Sequence, residues 1–348
     1  MFRTLHQWFR PLIIALTNTT LSWKYRWRLL LLQPLSFLTY TLTTLPWTFS
    51  KAYKVHWIPT RSGPIRALIF LPKSKPKTSI PSTSPPNSPT KLRPIHLDIH
   101  GGAFIGGLPE YEAHFSSMLC EKAGCVVIST GYRYAPVHTF PAAIDDVDDV
   151  LKFVIDNAEE MWGADPHCLT VGGFSAGGNL ALAACQKVGL EVKGSVTFYA
   201  SIDLRLPPWQ KPKPPSFPKT DPMAALLPLF DSYASSARET NMSNPRLSPI
   251  LLTIDRLPED MLLIIAGIDI LLHEQLTFIE RVKKDYEEAG VSGERTIEGK
   301  VFEKGFHGWL ELPFNVSGVD RKEEVFAHAV DFLIGVYRKI GWSYRPGE

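Results

Sequence analysis

No aspartate or glutamate occurs before Asp98, yet the same 97 residues hold 14 lysines and arginines. The other 251 residues carry 23 basic and 35 acidic groups, so a net charge of +2 conceals a basic N-terminal arm on a body of charge −12. Lys and Arg do not cluster in that body, which argues against nucleic acid as a partner. The arm instead suits an anionic surface such as a cytoplasm-facing membrane leaflet. Cysteine is also scarce. Cys120, Cys125, Cys168 and Cys185 form no zinc-type C-x-x-C pair and no dense disulfide framework. Cys168 and Cys185 flank a core turn and read as small buried apolar residues. Asn-x-Ser/Thr triplets at Asn18, Asn241 and Asn315 matter only on a secretory route. There is no internal repeat.

What is present is ordinary for a globular chain. The sequence has 348 residues, 45% of them apolar and 21% charged, enough for one large α/β domain with an appendage or two modest domains. Residues 1–50 form the appendage. From Leu29 to Phe49 there is no charged residue, a length that could cross a bilayer. Gln33, Pro34 and five threonines weaken that reading, and flanking Lys and Arg at both ends give little orientation signal. The competing reading is a pair of apolar helices lying over a pocket mouth. The two are compatible, since a capping helix can also sit in a membrane interface. Localisation therefore stays open between membrane association, including the endoplasmic reticulum, and the cytoplasm.

In residues 51–348, "YKVHWIPT" and "IRALIFLP" read as two strands around a Gly-Pro turn. Lys73 to Pro94 is rich in Pro, Ser and Thr, lacks apolar periodicity, and reads as a flexible surface loop. Strands and helices then alternate. Strands are expected at Ile95–Ile99, Cys125–Thr130, Leu169–Gly172, Val192–Ser201, Met261–Ala266 and near Arg295–Phe302. Helices are expected around Ile144–Ile155 and over Ala176–Lys187, Leu272–Glu288 and Glu323–Arg338. This order implies an α/β fold, a mostly parallel central sheet with helices on both faces. Leu204 to Ser248 interrupts the rhythm, first proline-dense and then helical in pattern, and is expected to be a cap over the strand ends.

Gly173-Phe174-Ser175-Ala176-Gly177 falls between a strand and a helix. There a G-x-S-x-G pentapeptide makes a sharp turn that exposes the serine and aims a helix N-terminus at any charge formed beside it. A serine needs a base to become a nucleophile. Of ten histidines, His307 lies in a glycine-flanked loop after the last strand, whereas His273 and His328 fall on helices and His6 and His56 in or near the arm. Asp269, two residues past "LLIIAG", is placed to hold the imidazole, with helix capping as its competing role. His100-Gly101-Gly102 follows another strand. The amides of Gly101, Gly102 and Ala176 are expected to bind a tetrahedral oxyanion, with His100 shaping the loop.

Together these segments resemble the hormone-sensitive-lipase-like branch of the α/β-hydrolases, which includes arylacetamide deacetylase-type enzymes and many esterases. The resemblance rests on "HGGAF", "GYRYAPVHTFPAAIDD", "ADPHCLTVGGFSAGGNLA", "PRLSPI", "AGIDILLHE" and "GFHGW", and covers residues 53–340. It implies an α/β-hydrolase fold with a helical cap, Ser175 as nucleophile, Asp269 as acid and His307 as base. Three positions depart from the family pattern. Ala103 replaces a glycine, Phe174 stands where Asp is usual and should make the pocket wall more apolar, and Val137 replaces a Glu.

The resulting expectation is a serine carboxylesterase acting on a neutral, hydrophobic small-molecule ester, with no metal and no cofactor. The arm and Leu226, Leu227, Leu229, Phe230 and Tyr233 would line its acyl or alcohol pocket, or serve as cap–core packing. The same triad could run amide deacetylation, lactone opening or acyl transfer. A non-catalytic receptor, as in the gibberellin receptors of the same fold, is a further reading, against which the presence of His307 argues.

Overall fold

A computed structural model describes residues 6–73, 92–187 and 192–344. Its centre is an eight-stranded sheet: β1 (Tyr53–Ile58), β2 (Ile65–Phe70), β3 (Arg93–Ile99), β4 (Val126–Thr130), β5 (Ala164–Phe174), β6 (Gly194–Phe198), β7 (Asp260–Ile268) and β8 (Thr296–Phe306). The spatial order is β1-β2-β4-β3-β5-β6-β7-β8. β1 pairs antiparallel with β2 and β2 with β4, and every later pairing is parallel. Strands β4 and β6 are buried throughout and β3 nearly so. Burial on both faces extends to polar side chains, His96 and Asp98 on β3 and Ser195 and Thr197 on β6 among them.

Helices α3 (Ala113–Ala123), α4 (Ala142–Trp162), α5 (Ala176–Ala184), α6 (Leu272–Glu288) and α7 (Lys322–Lys339) cross over between or follow these strands. The parallel pair β3–β4 requires a crossover, and α3 supplies it. The sequence reading names no helix there. The buried face of α3 includes Ser116 and Cys120 among Ala113, Phe115, Leu119 and Ala123, so its apolar stripe is diluted. The buried Ser116 hydroxyl donates to Asp98 on β3 at 2.9 Å. The expected loop over 73–94 lies mostly outside the described residues, and Arg93 and Pro94 already belong to β3.

The arm folds as α1 (Arg10–Thr17) and α2 (Trp23–Thr39), the latter continued by a π turn and a further helical turn to Thr48. Gln33, which weighs against a bilayer span, ties the two helices together. It accepts the Leu12 N–H at 3.0 Å and donates to Trp8 O at 2.9 Å. Arg26 donates to Ala15 O across the same pair. The hairpin is fixed to the body at two buried points and one exposed one. Arg10 reaches the Ile105 carbonyl and lies 3.9 Å over the Tyr134 ring, Tyr40 accepts the Gly107 N–H, and Arg28 donates to Ala225 O in the cap. The opposite face of α2 leaves Leu31, Leu35, Leu38 and Leu42 exposed.

Within the 204–248 insertion the helical-looking stretch forms one α turn, Leu227–Phe230, followed by 3₁₀ turns at Asp231–Tyr233 and Glu239–Asn241. Pro222 and Pro228 limit helix length. The long helices of the covering layer come from the arm.

Candidate active site

Strand β5 runs into α5 through Ser175, whose φ of 49° and ψ of −114° place a non-glycine residue in strained backbone, of order 1–3 kcal/mol. Its N–H donates to Phe198 O at 2.8 Å, and its carbonyl accepts the Ser201 N–H, which pins the turn to β6. Glycine is needed at 177 because a Cβ there would lie 1.9 Å from Ile99 O. The close approach of α5 to the end of β3 brings the loop after β3 beside Ser175.

Ser175 Oγ lies 2.8 Å from His307 Nε2, and His307 Nδ1 lies 2.7 Å from Asp269 Oδ2. The other Asp269 oxygen accepts the Leu271 N–H at 3.0 Å. That bond steadies the turn ahead of the helix Leu272–Glu288 but does not cap it, so the imidazole-holding role is the one the geometry supports. A fixed Asp269 makes Nδ1 the protonated nitrogen and leaves Nε2 free to accept from the serine. Partial desolvation pulls the His307 pKa down, but the Asp269 charge and hydrogen bond, with Glu311 behind them, outweigh it and set it above the ordinary 6.5, against an opposing effect from Lys211.

His100 is fully buried and stacks on Tyr132 at 4.6 Å. Its Nδ1 contacts Gly101 O at 2.6 Å and its Nε2 faces the Tyr134 hydroxyl at 3.1 Å. Burial pushes its pKa down to about 4, so it is a neutral shaping residue at ordinary pH.

One of the expected oxyanion donors is corrected. The Gly101 N–H is already used, donating to Glu112 Oε1 at 3.1 Å. Gly102 turns the chain at φ 113°, a position where a Cβ would meet Gly106 O at 2.3 Å. Ala103 and Phe104 then follow at φ 52° and 60°. Ala103, Ser175 and Ala176 all face one cavity. Among the described residues the N–H groups of Gly102, Ala103 and Ala176 have no acceptor. The signal for Ala103 was its place one residue further along the same turn.

The cavity measures about 530 Å³, and its walls include Phe104, Leu206, Met223, Leu227, Phe230 and Tyr233. Phe104 stacks on Tyr233 at 4.2 Å, joining the glycine loop to the cap. Leu226 and Leu229 do not reach the cavity and pack into the core. The arm does not line it either. Trp8, Leu45 and Phe49 instead border a separate hollow against β1 and β2. Nor is Phe174 a pocket wall, because it points beneath the site, stacked on Phe198 at 4.1 Å and edge-on to Phe115 and Phe326. Sequence reasoning missed Glu112, Tyr199 and Glu311, which sit behind the glycine loop and the histidine. Tyr199 donates to Glu311 Oε2 at 3.1 Å, with its ring 5.1 Å from His307.

This sheet order and this elbow define the class, and the chain belongs to the α/β-hydrolase fold family, whose profile matches residues 96–311. Its relatives place it in the hormone-sensitive-lipase-like branch. It is similar to an AB hydrolase superfamily protein of Schizosaccharomyces pombe, 31% identical over 60% of this chain and 61% of that one. It is also similar to the arylacetamide deacetylase of Oryctolagus cuniculus, 30% identical over 59% of this chain and 50% of that one. The match thus spans between half and three-fifths of these relatives' lengths. Among solved structures, a hyperthermophilic esterase from the archaeon Pyrobaculum calidifontis superposes with a TM-score of 0.66 at 25% identity, covering 86% of this chain and 90% of its own.

Proposed function

We propose that the protein is a serine carboxylesterase that cleaves a neutral, largely apolar ester through an acyl-enzyme. The observation that carries this is the continuous contact Ser175 Oγ–His307 Nε2–Asp269, opening into an apolar cavity. Nε2 of His307 takes the hydroxyl proton as Oγ attacks the ester carbonyl. Asp269 holds the tautomer and stabilises the imidazolium that results. The carbonyl oxygen becomes an oxyanion within reach of the Gly102, Ala103 and Ala176 amides, each such donor being worth about 3 kcal/mol. His307 returns the proton to the leaving alcohol, and a water repeats the sequence to free the acid and regenerate Oγ–H. Hydrolysis of a p-nitrophenyl ester series by the wild type, abolished in Ser175→Ala, is the test. A folded wild type inactive on every chain length contradicts it.

We further infer that the arm rests on a membrane surface. Buried anchors at Arg10 and Tyr40 commit one face of the hairpin to the body, and the other presents the α2 leucines on an arm that carries Lys24, Arg28 and Lys51 and no acidic residue of its own. Flotation with vesicles containing anionic lipid tests this.

A further inference from the structure

Behind the glycine loop, Glu112 and Glu311 bring two carboxyl groups together in the protein interior. Glu112, at the start of α3, is 1% exposed. Its Oε1 accepts the Gly101 N–H, while its Oε2 is buried and has no donor among the described residues. Glu311 lies four residues past His307, in the 3₁₀ turn Trp309–Glu311. Its Oε2 accepts the Tyr199 hydroxyl, and its Oε1 lies so near the loop that a Cβ on Gly101 would meet it at 2.8 Å. Both carboxyl groups thus crowd the same glycine, Glu112 from its N–H and Glu311 from its Cα. Two ionised carboxylates held side by side repel and neither carries a donor, whereas one shared proton turns the pair into a hydrogen bond. Among the described residues, no Lys or Arg forms an ion pair with either group.

Resting on the serine-hydrolase reading, we propose that Glu112 and Glu311 share one proton and act as a positioning pair, clamping the Gly101 amide of the oxyanion loop to the turn that carries His307. The ionisable groups facing the pair are Asp98 on β3, Tyr111 beside Glu112, Tyr132 after β4, Tyr199 after β6, and His307 itself. Burial pushes both carboxyls up, and the charges of Glu311 and Asp98 raise the cost of ionising Glu112 further. Loss of the shared proton at alkaline pH puts two anions face to face where no cation answers them. The link between the loops then opens, and the oxyanion donors move off the position in which they serve the transition state. The negative charge that the pair retains also acts on His307, whose pKa Glu311 helps to raise.

The shared proton is read without any turnover in the infrared spectrum of the Ser175→Ala protein at about pH 8, above the ordinary carboxyl range. A protonated-carboxyl stretch is expected there, and the same component should vanish in both E112Q and E311Q on that background, because a glutamine amide replaces the proton as donor. Absence of the band before any glutamate is changed, or its survival in both variants, overturns the proposal. On the active enzyme, both glutamine variants should keep kcat within about threefold at neutral pH and lose the alkaline decline, while E112A, which strips Gly101 of its acceptor, should lose about 100-fold. E311Q should move the acid limb of kcat/KM to lower pH and E112Q should not, a contrast that simple loss of packing does not produce. An alkaline limb unchanged in both glutamine variants, or full kcat in E112A, contradicts the clamp. If no ester is turned over at all, the esterase reading fails while the infrared result still decides the proton.

Discussion

At the residue scale, three side chains carry the proposed chemistry and one carries a substitution that the fold has absorbed. Ser175→Ala should lower kcat by about 10⁶-fold, and Asp269→Asn by about 10⁴-fold because the imidazole then adopts the wrong tautomer. The pH profile follows from the raised His307 pKa. The base must be neutral, so kcat/KM should rise with pH through a midpoint above 6.5, and initial rates across buffers locate it. Loss of the Asp269 charge removes a raising influence, so the midpoint should fall in D269N. Phe174 fills a fully buried aromatic cluster in place of the carboxylate usual beside the serine. Restoring that carboxylate with Phe174→Asp should destabilise the fold by at least about 3 kcal/mol, since it empties a packed aromatic site and buries an unpaired charge. Thermal melting measures this.

At the element scale, the arm is a brace on the glycine loop after β3 as well as a cover. Arg10 is 8% exposed and joins α1 to the Ile105 carbonyl and the Tyr134 ring. Arg10→Ala should therefore cost about 2 kcal/mol and make the arm the first point of proteolytic cleavage. The outward leucines are not needed for folding, so L35E/L38E should abolish vesicle flotation and leave hydrolysis of a soluble ester unchanged. The elements were unevenly legible in the sequence. Helix α6 was readable to the residue, and most strands to within a few residues, β7 best because its run Met261–Ala266 is uninterruptedly apolar, whereas β5 begins five residues before the expected Leu169. Helix α3 was hidden by the polar and small residues that it buries. The cap insertion looked helical in composition, but its prolines hold it to single turns. Ser175, His307, Asp269 and His100 were legible because each sits in a motif tied to a strand end. Gly101 was misassigned because the engagement of its amide depends on Glu112, eleven residues away, which no local pattern reveals. Glu311 was invisible for the same reason.

At the scale of the whole molecule, buried ionisable groups set a pH window for stability. Burial lowers the pKa of His96 from 6.5 to about 3 and of His100 to about 4. The unfolded chain therefore binds protons that the fold refuses, and this stability, complete above 6.5, is lost as pH falls toward 3. Asp98 acts in the opposite sense. Burial, against its hydrogen bond from Ser116, raises it from 3.8 to about 7, so its contribution is present in acid and lost as pH rises through 7. Asp98→Asn removes that acid-side contribution, so it should raise the melting temperature at about pH 8 relative to that at about pH 5, read by differential scanning calorimetry.

The most direct test of the proposed triad is fluorophosphonate labelling of the folded protein, with the adduct located by peptide mass mapping. A single adduct on Ser175, formed by the wild type and lost in His307→Ala, is the expected result. A folded protein that stays unlabelled, or labels at equal rate without His307, would contradict it.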